Sequence, residues 1–140
     1  MSEHDFQLRM QVEYSQPDNA IAAIQVQKYL DGGWQDFALD NLSPGFEIFV
    51  YSMFSCQHTY FRLNAAEQGV DLARAHARIE LGADAQWMIE HLRLEFQARV
   101  SAGSPSDDIT AYIVERMHQC PVSKNTRGVQ DAVVKLSFDL

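Results

Sequence analysis

Residues 43–69, SPGFEIFVYSMFSCQHTYFRLNAAEQG, decide how the rest of the chain is read. After the helix-start signal Ser43-Pro44-Gly45, the residues Phe46, Phe49, Met53, Cys56, Tyr60 and Leu63 recur at steps of three and four. That is the spacing of one helical face. Ile48, Val50 and Phe54 make other sides apolar too, so the spacing predicts a largely buried helix from about Phe46 to Gln68, ending near Gly69. The six-residue stripe, Cys56 included, is expected to face inward.

On the N-terminal side the period drops to two. Phe6, Leu8, Met10, Val12 and Tyr14 alternate with Gln7, Arg9, Gln11 and Glu13, as in a half-buried strand. The turn signal Gln16-Pro17-Asp18-Asn19 precedes an Ile-, Val- and Tyr-rich run from Ile21 to Leu30, and Asp31-Gly32-Gly33 separates that run from Trp34–Leu39. Three hairpin-linked strands are predicted here. On the C-terminal side, Ala73, Ala75, Ala77, Ile79 and Leu81 alternate with polar residues, as do Leu92, Leu94, Phe96, Ala98 and Val100, with Gly82-Ala83-Asp84 as the turn between them. Ser104-Pro105-Ser106-Asp107 then opens a second helix. Ser104 is its candidate cap and Pro105 its first residue, with Asp107 and Asp108 at the positive end and Ile109, Ile113, Met117 and Cys120 facing inward. Pro121 stops or restarts that helix, and Ala132, Val134, Leu136 and Phe138 alternate in a last strand. The order strand, strand, strand, helix, strand, strand, helix, strand predicts an α+β fold of antiparallel sheet packed on two main helices.

The 140 residues suit one domain, 1–140, with N-terminal strands in 1–42 and the two helices and remaining strands in 43–140. Eleven Lys and Arg against nineteen Asp and Glu leave a formal charge of −8, which disfavours phosphate backbones and anionic membranes; no nucleic-acid or membrane partner is expected. The longest apolar runs are too short to span a bilayer, and MSEHDFQLRM lacks the pattern of a signal peptide, so a cytoplasmic protein is expected. In a reducing compartment two cysteines stay thiols, and a bridge between them is more plausibly functional than structural.

Cys56 falls midway along the first helix and Cys120 closes the second, each on the stripe expected to face inward, so the two could meet where the helices pack. Free cysteine also serves simply as a small buried hydrophobe, and spacing cannot prove contact. Unaided, Cys120 has the better case for activation, because Arg116 precedes it by one helical turn. Burial among Phe and Met would raise the pKa of Cys56 unless a cation offsets it. Arg62 and Arg127 are further candidate cations. His58 and His118, two residues from the cysteines, point away from the neighbouring sulfurs on a continuous helix and are not assigned as general bases. The Cys and His spacing matches no short ligand pair of a structural zinc site, and no flavin or nucleotide motif occurs; no cofactor is expected.

The stretch His118-Gln119-Cys120-Pro121-Val122-Ser123-Lys124-Asn125-Thr126-Arg127-Gly128 resembles the motif that follows the second helix in OsmC/Ohr proteins. Ser43-Pro44 with Glu47 and Cys56, followed by Ala65-Ala66-Glu67-Gln68-Gly69-Val70, is similar to that family's central helix and its exit. The resemblance covers about Ser43 to Leu140. It implies an interlocked homodimer with two active sites that reduces organic hydroperoxides, Cys56 attacking and Cys120 resolving through a disulfide that an external dithiol donor reopens. It further implies an arginine from the N-terminal strands, held by a glutamate near the start of the central helix. Glu47 matches the glutamate, and Arg9 is the only arginine ahead of the helix. Nine helical residues separate Glu47 from Cys56 by about 13 Å, so a bridging side chain is needed. The glycine-flanked arginine of the peroxide-active members has no counterpart. That departure, with Phe46, Phe49, Phe54, Tyr60 and Phe61 around Cys56, supports a competing reading: a non-catalytic module that binds a hydrophobic small molecule.

Overall fold

The computed structural model describes residues 2–140. Strands β1 (His4–Ser15), β2 (Ala20–Leu30) and β3 (Gly33–Asp36) lead into the long helix α1 (Gly45–Glu67). Strands β4 (Asp71–Ala83) and β5 (Ile89–Ala102), helix α2 (Asp107–His118), a short 3-10 turn (Ser123–Thr126) and strand β6 (Asp131–Ser137) complete the chain.

All six strands join one sheet in the order β3-β2-β1-β4-β5-β6. The first four pairings are antiparallel, as expected, but β6 runs parallel to β5, with Leu94 opposite Val134. The all-antiparallel expectation is corrected here. Helix α2 returns the chain to the starting end of β5 before β6 begins, and a crossover of that kind produces a parallel neighbour.

Alternation sends Leu8, Met10 and Val12 of β1, Ala77, Ile79 and Leu81 of β4, and Leu92, Leu94 and Phe96 of β5 to one face, where α1 and α2 cover them. Phe54 and Phe61 of α1 close on Phe96, with Phe61 and Phe96 centroids 5.5 Å apart. Truncating one of these rings would cost about 3–5 kcal/mol. The β1–β2 turn is pinned by Asn19, fully buried in a left-handed conformation. Its amide donates to the carbonyls of Arg62 and Val70, each at 3.0 Å, and accepts from Leu72 N–H at 2.8 Å. The hairpin is thereby tied to the end of α1 and the start of β4.

Three local expectations shift. The third strand stops at Asp36 instead of Leu39, and the β4–β5 turn falls at Asp84, whose carboxylate accepts from the Gln86 and Met88 N–H groups. The cap of α2 is Ser106, not Ser104: its hydroxyl accepts from Ile109 N–H at 3.2 Å, so Pro105 lies outside the helix. Asp107 and Asp108 do occupy the first turn.

The face of α1 is the larger correction. Its buried residues are Val50, Met53, Phe54, Gln57, His58, Phe61, Asn64 and Ala65, so the helix is turned by about one residue from the predicted stripe, leaving Leu63 exposed and Cys56 half-buried. Polar side chains can go inward because each finds a partner. His58 Nε2 meets Tyr14 Oη at 2.7 Å, Gln57 donates to Ser123 Oγ, and Asn64 donates to the Tyr60 carbonyl and accepts from Arg116. Those bonds offset most of the desolvation penalty that would otherwise exclude them, although Gln57 Oε1 is left without a partner.

Candidate active site

The seam between α1 and α2 holds both cysteines. Met117 and Cys120 are fully buried, and the chain turns past Pro121 into the 3-10 segment beside the middle of α1. There the Cys56 thiol lies near enough to Cys120 and to the Val122 backbone N–H for each to shift its pKa. The next N–H, that of Ser123, donates to Cys120 Sγ at 3.3 Å. Both cysteines are free thiols.

Burial pushes the Cys56 thiol up to about 11, the contact with Cys120 adds to the rise, and the Val122 N–H opposes it. A single chain therefore leaves this thiol protonated at neutral pH, for want of a cation. Arg116 does not supply one, because its Nε donates to Asn64 Oδ1 at 3.3 Å and its Nη1 to Gln119 Oε1 at 3.4 Å. Arg62 lies toward the buried Tyr14–His58 pair, where it helps to hold the His58 pKa down, at about 4, though burial is the larger cause. Its Nε is buried without a partner. Arg127 is exposed at the end of the 3-10 turn. His58 stacks on Phe96, and His118 is exposed; neither pairs with a sulfur.

Arg9 and Glu47 are not brought together within the chain. Arg9 projects from the sheet face opposite the helices, where its Nε donates to Gln27 at 2.8 Å and its guanidinium lies 4.3 Å over Trp34. Glu47 instead pairs with Lys28, Nζ to Oε1 at 3.0 Å. Sequence reading missed Lys28. The signal was a lysine in the row Ile24, Val26, Lys28, Leu30, which the register with Leu8 turns toward the helix side. Lys28 and Glu47 form part of the wall of a cavity of about 400 Å³ whose other surfaces include Phe6, Leu8, Phe46 and Trp87. The aromatic residues expected around Cys56 thus divide: Phe46 lines this cavity, while Phe54 and Phe61 are core.

Among the described residues no three His, Cys, Asp or Glu side chains are grouped to hold a metal. No helix of the described chain is long and apolar enough to cross a membrane.

A half-buried cysteine on a long central helix and a buried one at the end of the second, backed by this six-stranded sheet, define the class. The family model described as OsmC-like protein matches residues 40–133, and the chain belongs to that family. The fold is similar to that of an OsmC-like hydroperoxide resistance protein from Jannaschia sp. CCS1, with TM-score 0.56 and 10% identity over 92% of this chain and 90% of that one. It is similar also to a hypothetical protein from Aquifex aeolicus VF5, with TM-score 0.57 and 11% identity over 91% and 92% of the two chains. An OsmC-like protein from Mycoplasma pneumoniae gives TM-score 0.53 and 8% identity over 80% and 85%. At such identities the likeness is one of fold. No curated protein sequence gives a significant match.

Proposed function

We propose that the protein reduces organic hydroperoxides by a thiol cycle between Cys56 and Cys120. The observation that carries this reading is the proximity of Cys56 to Cys120, whose sulfur is met by the Ser123 N–H. The Cys56 thiolate attacks the outer oxygen of the peroxide, the O–O bond breaks, and the alcohol leaves after taking a proton. Cys56 is then a sulfenic acid. Cys120 attacks that sulfur, water departs, and the disulfide closes with little movement. An external dithiol donor restores both thiols by exchange and is itself oxidised to a disulfide. No resident cofactor takes part. A reducing compartment, the cytoplasm, suits a pair kept as thiols.

The assembled enzyme is a homodimer in this reading. The exposed side of α1 carries Cys56 together with Ile48 and Leu63, a surface suited to cover by a second copy. In the dimer, Lys28 held by Glu47 in one chain supplies the cation for Cys56 of the other, and Arg9, on the far face of its own sheet, orients the site only if the partner brings it there. The apolar cavity beside Lys28 favours the competing reading of a non-catalytic module for a hydrophobic small molecule.

Two single substitutions separate the readings. Cys56→Ser should abolish turnover of cumene hydroperoxide, whereas Cys120→Ser should retain one round of reduction and, with excess peroxide, gain the mass of a sulfinic acid at residue 56. Peroxide reduction by the parent no faster than by free cysteine would leave the binding module standing.

A further inference from the structure

A second cavity, of about 360 Å³, lies behind the cysteine seam between the end of α2, the 3-10 turn and strands β5 and β6. Its volume falls at the small end of the range for small-molecule sites. Leu92, Leu94 and Val134 give it an apolar surface, His118 lines it too, and Arg127 and Glu115 bring one cation and one anion to it, neither in an ion pair among the described residues. Gln57 lines it as well. That side chain is only 1% exposed; its Nε2 donates to Ser123 Oγ, and its Oε1 has no partner. A buried acceptor without a donor is costly, and it is retained most readily where something outside the chain satisfies it.

We propose that this cavity binds a small carboxylate carrying a hydrogen-bond donor at its opposite end. The carboxylate meets the Arg127 guanidinium, which suits planar, two-point recognition. The donor meets Gln57 Oε1, and the apolar middle lies against Leu92, Leu94 and Val134. Through Ser123, whose hydroxyl holds Gln57 and whose N–H serves Cys120, the site lies two hydrogen bonds from the buried sulfur. It is separate from the Lys28–Glu47 cavity and does not depend on the peroxide reading.

Calorimetric titration of the reduced protein with 4-aminobenzoate, benzoate, aniline and 4-nitrobenzoate tests this directly. The expected result is one 4-aminobenzoate bound per chain, with benzoate and aniline each weaker by about tenfold or more, since each lacks one of the two anchors. Arg127→Gln, an exposed position whose replacement leaves the core untouched, should weaken 4-aminobenzoate by about the same factor while hardly changing aniline. Gln57→Leu should remove the preference for the amino group over no substituent. A cavity that holds water only, giving no heat with any probe up to about 10 mM, overturns the proposal. So would equal binding of 4-nitrobenzoate, which offers an acceptor where a donor is required, or affinity unchanged in Arg127→Gln.

Discussion

Lys28 Nζ lies 3.0 Å from Glu47 Oε1, joining the second strand to the first turn of the central helix, and the Glu47 side chain is only 12% exposed. A carboxylate so covered depends on its cation more than a surface pair does. Lys28→Met should therefore lower stability by about 1–3 kcal/mol in urea denaturation. Adding Glu47→Gln to that variant should recover part of the loss, because the uncompensated charge is gone. A double variant no more stable than the single one would mean that the pair contributes nothing beyond shape.

The same lysine is the proposed activator of the partner chain's Cys56. With burial holding that thiol at about 11, a site stripped of its cation has little thiolate at neutral pH. In Lys28→Met the rate of Cys56 oxidation by peroxide should climb about tenfold per pH unit from neutrality, because burial raises that thiol's pKa with no cation to offset it. The parent dimer should level off at distinctly lower pH. Stopped-flow rates on the two proteins decide the matter, and superimposable profiles would remove Lys28 from the site.

Tyr14 and His58 predict a loss of stability in acid. The His58 pKa falls from 6.5 to about 4 in the folded chain, chiefly through burial. The unfolded chain therefore takes up its proton first as pH falls, so this contribution is complete above about 6.5 and is lost progressively down to about 4. At most it amounts to about 3 kcal/mol. His58→Gln can still bond Tyr14 Oη but does not titrate, and the slope of unfolding free energy against pH should flatten across that window. An unchanged slope would show that His58 is already charged in the native protein.

Leu63 is 45% exposed on the side of α1 that carries Cys56. If a second copy covers that side, Leu63→Glu places a charge in an apolar interface and should shift sedimentation from dimer toward monomer at micromolar concentration. Peroxide reduction should fall with the dimer fraction. A parent protein that sediments as a monomer would set aside the two-chain active site altogether.

Both helices and the antiparallel core strands were legible in the sequence. Strand alternation in β1, β4 and β5 and the change of period at Ser43 are local signals, and neighbouring residues alone create them. The inward face of α1 was not legible, because a helix apolar nearly all round offers two apolar rows. Only Tyr14, Ser123 and Arg116, distant in sequence, make it possible to bury His58, Gln57 and Asn64 and so select one row. The parallel edge strand likewise depended on where α2 delivers the chain. The partner of Glu47 was decided by strand register: a pairing of Leu8 with Lys28 turns that lysine toward the helix, while Arg9, one residue further along β1, is sent to the other side of the sheet. Periodicity records which residues share a face; which face meets which neighbour is a long-range choice, made where buried polar groups find their hydrogen bonds.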